Sequence, residues 1–169
     1  GDMGQHYIDP VQYMLGKDDT SPVKVEVDAP QQHPDAVGTW RSISYTYADG
    51  CQIILWGGDY GEPDTPYISG PNGNVYKNFE CDIPNWEKKL ADYPEPAEQQ
   101  TDFLGAIHNR QKFALNEMNG HRSCTIVNMG AVALQLNRTL EFDPVKELFI
   151  NDAEANRLVE QPMRAPWTI

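Results

Sequence analysis

Apolar and polar positions alternate through much of the first half of the chain and recur at helical spacing through much of the second. Met3, Tyr7, Val11 and Met14 fall 4, 4 and 3 residues apart, one stripe of a helix that begins near Asp2. Gly16 is its natural stop. Pro10 inside that stretch removes one backbone donor, which predicts a kink or a division into two short helices. Strands follow. Val23, Val25 and Val27 alternate with Lys24, Glu26 and Asp28. Residues 39–47 are rich in β-branched and aromatic side chains, and Asp49-Gly50 supplies the positive-φ pair of a tight hairpin turn into a partner strand over 51–56. Residues 67–70 and 74–76 flank Pro71-Asn72-Gly73, a second hairpin.

Helices dominate the rest. Residues 82–93 are weakly helical, and 93–98 read as a proline-bearing polar connector. Residues 101–110 repeat apolar side chains at Phe103, Leu104 and Ile107. The strongest helix spans 121–136. It is apolar nearly all round and carries the small residues Cys124, Gly130, Ala131 and Ala133, which predicts burial and close packing. Residues 140–144 form a short strand ending in a turn, and Asn151 with Glu154 resembles a capping box for a last helix that Pro162 ends. Strands first and helices after point to an α+β fold with a largely antiparallel sheet, one face alternately exposed.

Composition narrows the function classes. The 169 residues carry 25 acidic and 13 basic side chains, a net charge of −12, which makes nucleic acid a poor partner. No apolar run approaches the ~18 residues a membrane span needs, and no basic, apolar N-terminal stretch reads as a signal peptide. A soluble domain is expected, with no membrane partner. Cys51, Cys81 and Cys124 form no C-x-x-C pair, and their odd number excludes a full disulfide framework, so they read as small, mostly buried thiols.

Asp2-x-x-x-His6 is the sharpest constellation. On a helix, positions i and i+4 share a face, where a carboxylate can hold an imidazole in one orientation for acid–base work near neutral pH. Spacing alone favours a capping aspartate beside a surface histidine. Asp9 continues the same face and would complete a carboxylate–His–carboxylate metal site, but directly before Pro10 it reads more simply as a cap or turn residue. His33 and His108 read as structural. His121 and Arg122 open the buried helix and could face a ligand, although a structural role is favoured there too. The stretch 56–61 lacks G-x-G-x-x-G, and the chain contains no P-loop, G-x-S-x-G or H-E-x-x-H. Arg164 and Trp167 place a cation and an indole together near the C-terminus.

At Asp2, His6 and Asp9 the chain resembles the glucose–fructose oxidoreductase/inositol dehydrogenase family (Gfo/Idh/MocA), whose second domain carries D-x-x-x-H followed by H-x-x-D. The stretch 137–144 resembles the family segment that closes its last long helix. Asp152-x-Glu154-Ala155-Asn156 and Arg164-x-Pro166-Trp167 resemble the tail of a subgroup, and the hairpin 67–76 falls where the family has paired strands. The resemblance implies a single C-terminal substrate-binding and oligomerisation domain over 1–169, an open, mostly antiparallel sheet with helices packed on one face, belonging to an NAD(P)-dependent oxidoreductase that acts on a sugar, a cyclitol or a related hydroxyl compound. The N-terminal Rossmann domain, with its glycine-rich fingerprint and catalytic lysine, is not found here. By carry-over, His6 takes the substrate hydroxyl proton and Asp2 orients it. Gln5, Asp9, His121, Arg122, Arg164 and Trp167 are the candidate substrate contacts. NAD or NADP belongs to the full-length parent, no cofactor and no metal is expected on this chain, and the isolated chain is expected to be inactive. Two alternatives stand beside this one: a domain of an NAD-dependent glycosidase of the same family, and a non-catalytic binding or oligomerisation domain. Residues 41, 43, 45 and 47 share one side of their strand and 40, 42, 44 and 46 the other. With aromatic surface on both sides, a homo-oligomer formed through the sheet face is expected.

Overall fold

The computed structural model describes residues 4–33, 35–36, 38–58, 64–77, 80–94, 100–159 and 164–166. Two compact units divide the chain, residues 1–60 with 115–169, and residues 61–114.

The first unit is built on a five-stranded sheet: β1 (Lys24–Asp28), β2 (Ser42–Thr46), β3 (Gln52–Trp56), β6 (Leu140–Asp143) and β7 (Leu148–Phe149), in the order β3-β2-β1-β6-β7. Every neighbouring pair is antiparallel. Register explains the burial. Val25 lies opposite Tyr45 and Leu140, Tyr45 opposite Ile53, and Phe142 opposite Phe149, so one face carries a continuous apolar layer. All six side chains are buried, and the rings of Phe142 and Phe149 meet edge to face at 5.3 Å. The other face carries Ser42, Ser44 and Thr46 beside Lys24, Glu26 and Asp28, with Ile54 and Trp56 about half exposed on β3. The sheet is therefore one-sided, as the alternation predicted.

Helix α4 (Glu117–Leu136) packs on β1, α1 (Gly4–Met14) packs on α4, and α5 (Ala153–Arg157) packs on β7. Helix α4 begins four residues earlier than the apolar pattern suggests, because the Asn116 side chain accepts the backbone N–H groups of Met118 and Asn119 at 3.1 and 3.2 Å. It is not buried all round. Cys124, Asn128 and Gln135 face out, while Ser123, Ile126, Met129, Gly130, Ala133 and Leu134 face in; with Cys51 and Cys81 only half-buried, none of the three thiols is buried as expected. The cap of α5 is Asp152 rather than Asn151, its carboxylate accepting Ala155 N–H at 3.0 Å. Asn151 instead adopts φ 53° in the turn before it. The β2–β3 turn has a positive φ at Gly50 alone, and Asp49 serves through its carboxylate, which accepts Cys51 N–H at 3.1 Å and pairs with Lys17. The short strand β7 had no sequence signal of its own.

The second unit contains the predicted hairpin, β4 (Ile68–Gly70) and β5 (Gly73–Val75), then α2 (Trp86–Ala91) and α3 (Phe103–Asn109). Gly73 is required twice over: its φ is 135°, and a β-carbon there would collide with Asp82 and Ile83. The apolar repeat of α3 marks no buried face. Phe103, Leu104 and Ile107 are exposed, and Ala106 is the buried residue of that helix. Residues 95–98 of the connector lie outside the described residues, as does Pro162.

Candidate active site on helix α1

Helix α1 runs unbroken through Pro10. Proline lacks the N–H that would reach the carbonyl four residues back, so the His6 carbonyl has no intrahelical donor there. Of the predicted stripe, Met3 lies outside the described residues and Val11 alone turns toward the core. Tyr7 and Met14 are exposed, whereas Ile8 and Gln12 are buried and Val11 and Leu15 pack beside them. Two observations explain this rotation. A β-carbon on Gly4 would touch Val127 at 3.6 Å, so the helices approach closely there. One turn past His6, Asp9 Oδ1 accepts the Ser123 hydroxyl at 2.8 Å. Gln12 can be buried because its amide donates to the Lys17 carbonyl at 2.9 Å.

His6 consequently projects outward. It is exposed, with Tyr7, Pro10 and Tyr13 also exposed on that side of α1, while Gln5 is half-buried. Asp2 lies outside the described residues, and so does Trp167; Arg164 is exposed.

His121 and Arg122 form a separate cluster. Gly4 beside Val127 and Asp9 beside Ser123 make α1 antiparallel to α4, which puts residues 121 and 122 toward the C-terminal half of α1, away from His6. Both bond the same carboxylate oxygen of Glu147, His121 Nε2 at 2.8 Å and an Arg122 guanidinium nitrogen at 3.2 Å. Arg122 also reaches the Ser21 hydroxyl and the Pro144 carbonyl, each at 3.4 Å. The cluster braces α4 against the β6–β7 turn. Among the described residues, no group of three or more His, Cys, Asp or Glu side chains is placed to hold a metal ion, and no helix is long and apolar enough to cross a membrane.

Sequence reasoning missed two residues here. Neither Ser123 nor Glu147 was singled out by the sequence pattern. Nothing local marks either, since each partner lies far away in the chain.

The fold is a one-sided antiparallel sheet with a layer of helices, α1, α4 and α5. The family described as "Oxidoreductase family, C-terminal alpha/beta domain" matches residues 1–169, and the chain belongs to this Gfo/Idh/MocA family. No curated protein and no solved structure gives a significant match to the chain.

Proposed function

We propose that this chain is the substrate-binding and assembly half of an NAD(P)-dependent oxidoreductase acting on a sugar, a cyclitol or a related hydroxyl compound. Oxidising an alcohol removes a hydride and a proton. The chain contains no dinucleotide fingerprint, so the hydride acceptor belongs to a partner domain, and the part of this chain is the proton. His6 is the general base and Asp2 the carboxylate that orients it. Gln5, beside His6 on α1, is a substrate contact, with Arg164 and Trp167 contributing from the C-terminal segment. The observation that carries this reading is the exposed His6 on a helix whose opposite face is locked to the core. The exposed Tyr7, Tyr13 and Met14 on the same helix offer apolar surface for a second domain to close over. The open sheet face, with Ile54 and Trp56, is the proposed surface for self-association.

The test is His6→Ala in the full-length enzyme, followed by reduction of NAD(P)+. Turnover should fall by ~10²–10⁴-fold, the usual worth of a positioned base, with dinucleotide affinity unchanged. Turnover equal to wild type would overturn the assignment.

A further inference from the structure

We propose that Ser123 is a positioning residue for His6, acting through Asp9; the inference rests on the reading of His6 as the base. Ser123 is fully buried in the middle of α4, an uncommon place for a hydroxyl unless it has a partner. Its oxygen lies 2.8 Å from Asp9 Oδ1, 2.9 Å from the Asn119 carbonyl and 3.5 Å from the Gly120 carbonyl. The hydroxyl has one proton, and a carboxylate is a stronger acceptor than a backbone carbonyl, so the bond to Asp9 is charge-assisted.

The rest of the contact of α1 with the core includes Ile8 and Val11, side chains whose packing is non-directional. A hydrogen bond is directional and sets the rotation of the helix about its axis. His6 stands one turn before Asp9. With side chains about 5–6 Å from the helix axis, a rotation of roughly 20° would carry the imidazole about 2 Å. A misplacement of about 1 Å can cost ~10²-fold in rate.

The experiment uses the full-length enzyme with its dinucleotide domain, at a temperature where each variant is folded. Ser123→Ala and Asp9→Ala should each lower kcat by ~10–100-fold while KM stays within about threefold. Asp9→Asn, which keeps an acceptor oxygen, should lose less activity than Asp9→Ala. The decisive variant is His6→Ala with Ser123→Ala, which should be no slower than His6→Ala alone, because positioning has no value once the imidazole is gone. A merely structural serine would instead lower both backgrounds by the same factor, and that result overturns the proposal. So does wild-type kcat in Ser123→Ala while His6→Ala is impaired, which leaves the base assignment standing. If His6→Ala is fully active, the base assignment itself falls and this inference with it. If Ser123→Ala does not fold, Asp9→Ala against Asp9→Asn, each with and without His6, carries the same comparison.

Discussion

The phenol oxygen of Tyr45, on β2, stands where a β-carbon on Gly130 of α4 would lie. The absence of that carbon lets the longest helix come down onto the sheet with a tyrosine laid across the contact. Tyr45 is 1% exposed, and burial pushes its phenol well above its ordinary ionisation range. Gly130→Ala therefore forces the ring or the helix to move. Overpacking of this kind costs about 1–3 kcal/mol, and for a domain of this size each kcal/mol lowers Tm by roughly 2–4 °C. Adding Tyr45→Phe removes the colliding oxygen and should recover part of the loss. Thermal unfolding of the two single variants and the double variant checks this, and additive losses would refute the contact as the cause.

Asp152 carries an acid-stability prediction. Its carboxylate caps α5 and pairs with Arg138, which also bonds Glu154 at 3.1 Å. The hydrogen bonds from Arg138, followed by the Ala155 N–H, pull the Asp152 pKa down from 3.8 to about 2. With a folded pKa below the unfolded value, the unfolded chain binds more protons in that interval, and stability rises with pH across it. This contribution is complete above about pH 4 and is lost as the pH falls toward 2. Asp152→Asn keeps a side-chain oxygen for the cap but cannot titrate. Denaturant unfolding of Asp152→Asn between pH 4 and 2 should show a shallower dependence than wild type. Parallel curves would show that the pair contributes nothing.

The open sheet face makes a third prediction. Ile54 and Trp56 project from β3 at 45% and 46% exposure, beyond the small hydroxyl side chains of β2. Trp56→Glu places a charge where an apolar contact is proposed. Association should weaken by at least ~10-fold, which corresponds to about 1.4 kcal/mol, as measured by light scattering across a concentration series. A wild-type protein that stays monomeric at high concentration, or a Trp56→Glu variant that assembles normally, would rule this surface out.

Local chemistry was legible where the answer is local. The alternation over 23–28 marked Val25 as an inward residue, and β1 places it there. Gly50 and Gly73 marked the two hairpin turns, and both have positive φ. The small residues of 121–136 pointed to close packing, and Gly130 realises it against Tyr45. The D-x-x-x-H and H-x-x-D spacing pointed to the family that the whole chain matches.

Other features depended on partners distant in sequence. Spacing alone placed an apolar stripe through Tyr7 and Met14, yet the helix turns Ile8 and Gln12 inward, because α4 supplies Val127 and Ser123 to meet it. The apolar repeat at Phe103, Leu104 and Ile107 has the same helical spacing but lies exposed. Glu147, in a turn at φ 56°, gathers His121 and Arg122 from 26 and 25 residues away, and Ser123 meets Asp9 across 114 residues. Periodicity reports that a helix has an apolar side, and residue chemistry reports what a group can donate or accept. Which side is covered, and which donor meets which acceptor, is decided when distant segments pack together, because burial and hydrogen-bond geometry are properties of the assembled surfaces.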